Sequence, residues 1–418
     1  MANSLSKVEQ IAFEEMTDAF ENSNLFAANS RIYKPNAGAA EMAGQTFRFP
    51  YANQIETTKG LDITGNEKDA VEITVPVSLG SGDIYNGFFK LSALERNRDG
   101  LVTRKVLAAV RKMSSDLNKD ASDLIVARGA LVGAETSDLT KYEHFSKAGS
   151  MLSEIEVANP ADQYMYLNPR MSGKVANELG MRATDNNRDH AAYGKRQLPQ
   201  IDMFDVFQVS NVKQIAGSSV TGLTVSGANQ DVTPVAYNSD GGYASRESDD
   251  IRTQSITLSG SAPANESVIT LAGCNRIGID SKTDTGEKMT FRVVSGGGTT
   301  TPTISPAIVA SGPYQNVSAA PGDGATVTVV NTASATPAVF TTKDAYCIFV
   351  SELDSEALEG SMDVIGAYTT SYGLGVAMFR QGKIGDLSSQ YRLSMWAKPN
   401  IVDPLRCGIL LPNQTTAI

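Results

Sequence analysis

The sequence predicts a mixed fold of the α+β class, interrupted by an inserted module that consists of β-strands alone. Between Val220 and Thr342, a stretch of 123 residues, short runs rich in Val, Thr and Ser are broken by Gly, Pro and Asn. Such runs are typical of antiparallel strands joined by turns. A long helical period precedes this stretch, and alternating apolar and polar runs flank it on both sides. The module therefore interrupts a host chain of helices and strands, and it is long enough to be a domain of its own.

Residues 4–21 predict a short amphipathic helix at the start of the chain. Its apolar side chains recur at roughly helical spacing, and they are Val8, Ile11, Ala12, Met16, Ala19 and Phe20. Its acidic side chains fall largely on the rest of the helix surface, and they are Glu9, Glu14, Glu15 and Asp18. Two interpretations stay open: the helix packs on its own subunit, or it is an arm that docks on a partner.

A long polar loop between two strands is the next feature. The segments Gln45–Pro50 and Ala70–Val77 alternate apolar and polar residues and predict strands. Between them, residues 52–69 are polar and interrupted by Gly. Because so long a loop is unusual inside a compact domain, this segment favours a projecting hairpin that reaches a neighbouring molecule.

The strongest helical signal runs from Leu91 to Val126. Its apolar stripe repeats every three or four residues and consists of Val106, Val110, Met113, Leu117, Ala121 and Leu124. A helix over the whole range would be about 54 Å long, which exceeds the usual length of a globular helix. Gly100 marks either the true start of this helix or a bend within it.

Shorter elements are predicted in the rest of the host chain. Alternation and β-branched content predict strands at 164–169, 204–212, 345–351 and 391–396. Helical spacing predicts a helix at 170–179.

Composition excludes several classes of function. Lys and Arg total 36 against 46 for Asp and Glu, so the net charge is −10. Tight DNA binding is not expected, because it requires clustered basic residues. The three cysteines, Cys274, Cys347 and Cys407, lie far apart and favour reduced thiols over disulfides. The polar start MANSLSKVEQ is not expected to be a signal peptide, and the longest apolar runs are too short to predict a membrane span.

The sequence contains no recognisable catalytic or metal-binding pattern. His144 and His190 lie in polar stretches without metal-ligand spacing, and we expect both on the surface. The zinc-protease, nucleophile-elbow and phosphate-loop motifs do not occur. We therefore expect a protein that is not an enzyme and that needs no cofactor or metal.

Several sequence blocks, in order along the chain, resemble the major coat protein of short-tailed lambdoid bacteriophages. The blocks are TTKGLDIT, EITVPVSLG, GFFKLSALERNRD, YLNPRMSGKVANEL, GLTVSGANQ, RQGKIGDLSSQYRLSMW and GILLPNQTTAI. They cover most of the chain, and the resemblance is weakest from about 243 to 344. It implies the tailed-phage capsid fold with an inserted immunoglobulin-like (telokin-like) β-barrel. The implied divisions are an N-terminal arm (1–40), an extended hairpin loop with flanking strands (41–90), a spine helix with peripheral domain (91–128), a first peripheral and axial part (129–217), the inserted barrel (218–344) and a second axial part with closing strands (345–418).

The resemblance also implies a function and partners. Hexamers and pentamers of the protein would form an icosahedral shell, assembled with a scaffolding protein around a portal protein. Assembly would take place in the cytoplasm of the bacterial host. The procapsid would expand as double-stranded DNA enters, with no sequence-specific binding of that DNA and no membrane. The mature protein would then be part of the virion.

Two contact regions follow from the same resemblance. In the family an acidic residue of the arm lies where scaffolding docks, and Glu14 matches it, with Glu in place of Asp; Glu15 and Asp18 are nearby. A charged loop of the inserted domain contacts the neighbouring subunit, and its counterpart at 238–252 contains Asp240, Arg246, Asp249, Asp250 and Arg252. Lys59 and Lys68 of the long loop are further candidates for contacts between subunits. Exposed ion pairs contribute only about 0–1 kcal/mol, so we expect these charges to add little to the stability of the monomer.

Three alternatives from other classes remain. The first is a capsid with autocatalytic isopeptide cross-links, for which Lys59 or Lys68 would supply the amine. The second is an adhesin or sugar-binding protein built on the β module, although a single Trp and the polar N-terminus argue against it. The third is a host-derived protein compartment with the same fold.

Overall fold

The computed structural model describes residues 7–34, 46–51, 54–55, 57, 59–61, 64, 73–96, 98, 100–156, 162–182, 198, 200–234, 250–351 and 363–418. In this part of the chain the α-helices are α1 (Lys7–Ser23), α2 (Leu25–Ala28), α3 (Ala93–Arg96), α4 (Leu101–Arg128), α5 (Tyr142–Glu154) and α6 (Pro169–Arg182). The first strands are β1 (Arg31–Tyr33), β2 (Thr46–Pro50), β3 (Thr74–Ser78), β4 (Ile84–Ser92), β5 (Leu131–Ala134), β6 (Gln163–Leu167) and β7 (Asp205–Gln208). The next are β8 (Leu223–Thr224), β9 (Gln254–Ser255), β10 (Val268–Ile277), β11 (Asp284–Ser295), β12 (Thr303–Ser305) and β13 (Thr326–Val329). The last are β14 (Ala338–Thr342), β15 (Tyr346–Ser351), β16 (Asp363–Thr369), β17 (Gly375–Lys383), β18 (Ser388–Ile401) and β19 (Cys407–Leu411).

The chain forms two compact units, each assembled from three separate stretches of sequence. The first unit takes the described residues of 1–47, 77–121 and 347–400. The second takes those of 48–76, 122–346 and 401–418.

The first unit is built on a sheet whose central strand is β18. The strand order is β1-β15-β18-β17-β16, and β4 also pairs with β18. β18 is antiparallel to both β17 and β4, whereas the short β1 is parallel to β15. Tyr391, Leu393 and Met395 alternate along β18 and are fully buried, so they face the same side of the sheet. At Gly87 of β4 an added Cβ would lie 2.8 Å from the Cβ of Ala109, so the missing side chain lets α4 approach this strand closely.

The second unit contains two larger sheets that share one apolar core. The five-stranded sheet has the order β5-β19-β14-β6-β7, and the six-stranded sheet has the order β8-β13-β10-β11-β12-β9. Phe145 of α5 and Phe340 of β14 belong to the same cluster of buried residues as Phe291 and Val293 of β11. The six-stranded sheet therefore shares its apolar core with the other elements of this unit.

The β module predicted between 220 and 342 is all β in the described residues. Its strands from β8 to β13 pair with one another in antiparallel fashion. The segment Ala338–Thr342, at the end of the predicted module, pairs instead with β6 and β19 of the other sheet. The immunoglobulin-like character of the module and its boundaries remain predictions.

The predicted long helix exists but is shorter than the whole periodic stretch. Gly100 has a φ of +66°, a left-handed conformation that favours Gly, and α4 begins at the next residue. Its length is therefore about 42 Å rather than about 54 Å. The predicted apolar stripe is buried up to Ala121, and Ile125 continues it in place of Leu124.

The two strands predicted around the long loop pair with each other. β2 and β3 form a two-stranded sheet, and the backbone N–H of Tyr51 donates to the carbonyl of Ile73 at 2.9 Å. Beyond this pair, Ile55 and Leu61 of the loop are 79% and 105% exposed. Exposed apolar side chains on a two-stranded hairpin do not stabilise an isolated monomer, so this arrangement favours contact with another molecule.

One buried arginine ties the end of α4 to the six-stranded sheet within the second unit. Arg292 of β11 is 0% exposed, and its guanidinium donates to the carbonyls of Val126 and Ala127. These are among the last carbonyls of α4, for which the helix itself supplies no backbone N–H donor. Burial lowers the pKa of the Arg292 guanidinium to about 9, so the group stays protonated at neutral pH and favours the negative end of the helix dipole.

We expect Gly408→Ala to destabilise the protein, because β19 is tightly enclosed. An added Cβ would contact the carbonyl of Leu131 and lie 2.6 Å from Cζ of Phe340. Overpacking of this kind costs about 1–3 kcal/mol. Gly382→Ala is the control, since an added Cβ there meets no atom within 4 Å. Urea unfolding followed by circular dichroism compares the two variants, and equal midpoints would contradict the enclosure of β19.

Candidate functional site: the outward face of the N-terminal helix

Helix α1 packs on the first unit and keeps one face open. Its buried face consists of Glu9, Ala12, Met16 and Phe20, all 0% exposed, at spacings of three and four residues. The opposite face consists of Val8 and Ile11, which are 42% and 43% exposed, and of the exposed Glu14, Glu15 and Asp18. We call this opposite face, made of these five residues, the outward face.

The N-terminal end of α1 is held by a buried carboxylate. Glu9 accepts hydrogen bonds from Nη2 of Arg96 at 3.0 Å, from Nη1 of Arg380 at 3.0 Å and from the hydroxyl of Tyr391 at 2.9 Å. Arg380 also donates to Asp363 at 2.8 Å. Burial, with the Glu9 carboxylate adding to it, raises the pKa of Tyr391 to about 12, so this hydroxyl remains a donor at neutral pH.

The C-terminal end of α1 is held by a second set of hydrogen bonds. The Glu21 carboxylate accepts from the hydroxyl of Tyr368 at 2.8 Å and from the backbone N–H and hydroxyl of Ser371. The bonds from Ser371, followed by that from Tyr368, lower the pKa of Glu21. In addition, Asn118 of α4 donates to the carbonyl of Ser23 at 3.0 Å. Both ends of α1 are thus fixed, and the structure supports the interpretation that the helix packs on its own subunit.

This arrangement corrects the predicted orientation of the helix. The sequence pattern placed Val8 and Ile11 with the buried side chains and Glu9 on the polar surface, whereas the structure shows the reverse. The reason is that two guanidiniums and a hydroxyl compensate the desolvation of Glu9, so the carboxylate can be buried. The spacing from Glu9 through Ala12 and Met16 to Phe20 was the available signal, and sorting residues by polarity alone missed it.

The outward face is acidic with two apolar side chains at one end. From Val8 to Ser23 the helix contains no Lys or Arg, so the charge of Glu14, Glu15 and Asp18 is not offset within this segment of the helix. Complementary charge mainly speeds encounter and selects partners, and the apolar area adds affinity. Chemically, the outward face suits a basic segment that also presents apolar side chains.

Two residues of the predicted charged loop are engaged inside their own subunit. Nε and Nη2 of Arg252 each donate to the Asp250 carboxylate at 2.7 Å, and Nη1 donates to the carbonyl of Ile401 at 2.8 Å. The Arg252 side chain is 8% exposed and that of Asp250 is 16% exposed. A role for these two residues between subunits remains a prediction, but their geometry favours a role in the fold of the second unit.

Of the other predicted contact residues, the structure describes Lys59 alone. Lys59 is exposed on the long loop. Asp240, Arg246, Asp249 and Lys68 lie outside the described residues.

His144 was expected on the surface, but it is 6% exposed on the buried face of α5, and the backbone N–H of Thr140 donates to its Nδ1 at 3.4 Å. His190 lies outside the described residues. In the described ranges, no three His, Cys, Asp or Glu side chains are grouped as metal ligands would be. Nor does any helix there combine the length and apolar character that crossing a bilayer requires.

A protein-family model matches nearly the whole chain. The family model described as P22 coat protein, gene protein 5, matches residues 1–412. Among solved structures, the I-domain of the CUS-3 coat protein is 36% identical, with 27% of this chain and 99% of that chain covered and a TM-score of 0.21. The capsid of cyanophage P-SCSP1u is 10% identical, with 93% and 88% covered and a TM-score of 0.46. A structure from Mycobacterium phage Che8 is 10% identical, with 94% and 90% covered and a TM-score of 0.44.

We expect Asp250→Asn to lower the stability of the monomer by roughly 3 kcal/mol, because it leaves the buried Arg252 guanidinium without its carboxylate. The matched control is Glu143→Gln, which removes an acid from an ion pair whose Glu143 side chain is 69% exposed and should change the melting temperature little. Thermal unfolding of both variants is the measurement. If Asp250→Asn melts like the unsubstituted protein, the pair does not support the fold.

Proposed function

The chain belongs to the P22 coat protein family, and from this we propose that it builds the shell of a phage head together with a scaffolding protein. As a coat protein it is a structural protein of the phage capsid, it is located in the virion, and it is not an enzyme. Copies of such a protein associate with one another. The fold class expected from the sequence, a mixed α+β capsid protein, is confirmed by the family match and by the helices and sheets described above.

The finer steps of assembly are part of the proposal. Hexamers and pentamers of the chain close into an icosahedral procapsid around a portal protein, and the procapsid takes up double-stranded DNA. The net charge of −10 supports a shell that encloses DNA without binding it tightly, because tight binding of phosphates requires clustered Lys and Arg. The exposed Ile55 and Leu61 of the long loop support its contact with a neighbouring subunit.

The scaffolding protein docks, in this proposal, on the outward face of α1. Glu14 is the position matched to the family's acidic docking residue, and Glu15 and Asp18 lie on the same face. Support comes from the geometry of the helix. Its two anchored ends hold these acids toward solvent, where a basic segment can reach them without any unfolding of the subunit.

The proposal includes a division of the chain into domains. Residues 1–40 form the arm, 41–90 the extended loop, and 91–128 the spine helix with the peripheral domain. Residues 129–217 and 345–418 form the axial parts, and 218–344 form the inserted immunoglobulin-like domain. The charged loop at 238–252 and the lysines Lys59 and Lys68 contact neighbouring subunits.

Co-expression with the scaffolding protein of the same phage tests the proposed function. We expect closed icosahedral particles that sediment far ahead of the monomer and that are visible by negative-stain electron microscopy. After boiling in SDS the coat should run as a single band near its mass of 44.4 kDa, since no cross-link through Lys59 or Lys68 is proposed. A monodisperse monomer under these conditions would overturn the proposal, and a ladder of SDS-resistant species would favour the cross-linked alternative.

We expect Glu14→Lys to weaken binding of the scaffolding protein while the subunit still folds. The substitution replaces attraction by repulsion at an exposed position. With exposed charges contributing about 0–1 kcal/mol each, affinity should fall about three- to tenfold, mainly through slower association. Glu143→Lys, at an exposed position of the second unit, is the control for the change in net charge. Surface plasmon resonance at two salt concentrations is the measurement. Unchanged affinity and unchanged scaffold content of the particles would exclude Glu14 from the docking site.

A further inference from the structure

We infer that Glu9 is a positioning residue: its buried carboxylate selects the rotation of α1 on the first unit and thereby decides which side chains form the outward face. This inference rests on the proposed function only in its last step, the binding of a scaffolding protein. Its first step concerns this chain alone. It can be tested without any partner.

The need for such a residue follows from the apolar pattern of the helix. Hydrophobic burial has no preferred direction, and α1 has two apolar faces that overlap. One is the observed buried face, on which Phe20 lies. The other contains Val8, Ile11 and Ala19 with Glu15 between them, and a rotation of roughly 80° would turn it inward, since successive residues differ by about 100°. Met16 and Phe20 favour the observed rotation, but apolar contacts tolerate small changes of angle, so a group with directional bonds is needed to define it.

Glu9 discriminates strongly, because its partners are directional. Arg96, Arg380 and Tyr391 come from three separate segments of the first unit, and all three reach the same carboxylate oxygen at 2.9–3.0 Å. A rotation of roughly 80° moves the carboxylate away from all three donors at once, by more than the few tenths of an ångström that a hydrogen bond tolerates. It would also remove the Glu9 carboxylate from Arg96 and leave Arg380 with its bond to Asp363. Loss of a partner from a buried ionic group is costly, because it leaves a charge uncompensated.

The rotation that Glu9 selects has a consequence for recognition. In the observed state Val8 and Ile11 extend the acidic surface of Glu14, Glu15 and Asp18 at its N-terminal end. In the alternative state the two apolar side chains would be buried and Phe20 would move toward solvent. A basic segment with an apolar edge fits the first surface and not the second. Glu9 thus influences docking without touching the partner.

The test uses single reporter cysteines in the full-length protein. The native thiols of Cys274, Cys347 and Cys407 are all buried, so they give a low background toward an aromatic disulfide reagent. Val8→Cys reports the outward face and should react quickly. Ala12→Cys reports the buried face and should react slowly.

In the Glu9→Gln background we expect at least one reporter to change about tenfold. Slower reaction at Val8→Cys shows rotation of the helix, and faster reaction at Ala12→Cys shows its release; either result supports the inference. Asp386→Asn is the matched control, since it removes one acid from an exposed ion pair with Lys90 in the same unit, and neither reporter should change. Unchanged rates at both reporters in Glu9→Gln would overturn the inference.

A milder variant covers the case in which Glu9→Gln does not fold. Tyr391→Phe removes one hydrogen bond to Glu9 and keeps the ring, so at least one reporter should change by about two- to fivefold, with slower reaction at Val8→Cys or faster reaction at Ala12→Cys. Absence of any shift in Tyr391→Phe would then count against the inference. Scaffold binding is measured last. If Glu9→Gln changes the reporters while Glu14→Lys leaves binding intact, the positioning role stands and the docking proposal fails.

Discussion

A charge removed from water must find partners, and this constraint determines where distant parts of this chain meet. Glu9, Arg252 and Arg292 are each nearly or fully buried. Each bonds to groups that lie far away in sequence: Glu9 to Arg96, Arg380 and Tyr391, Arg252 to the carbonyl of Ile401 in addition to nearby Asp250, and Arg292 to the last carbonyls of α4. Apolar burial supplies most of the stabilisation in any domain, but it tolerates small shifts. Buried charges do not tolerate such shifts, because their hydrogen bonds require defined distances. They therefore fix the relative positions of the packed elements.

Much of the architecture was predictable because it depends on local periodicity. The stripe of α4 repeats with the helical period, and its burial follows directly from Val106 to Ala121. The β-branched runs between 220 and 342 predicted strands, and strands are what the described residues form there. Gly100 was correctly recognised as a position of interest, although only its positive φ shows that the helix starts beside it rather than bends there.

The parts that could not be predicted depend on partners distant in sequence. Nothing near Glu9 indicates that Arg96 and Arg380 lie close to it, so its carboxylate was assigned to the polar surface. The same holds for Arg252, whose acceptor at Ile401 is 149 residues away, and for His144, which is buried although its neighbours in sequence are polar. The outward acids Glu14, Glu15 and Asp18 were found because a resemblance to a family supplied them.

The contact between Arg292 and the end of α4 has a mechanical consequence. A helix end that is free can fray or shift by a residue, because its last carbonyls bond to water as readily in one position as in another. Here the carbonyls of Val126 and Ala127 are held by a guanidinium on β11, a strand inside a six-stranded sheet. The last turn of the helix and this strand should therefore move together as one rigid body. Bending of the subunit is therefore expected in parts of the chain other than this contact.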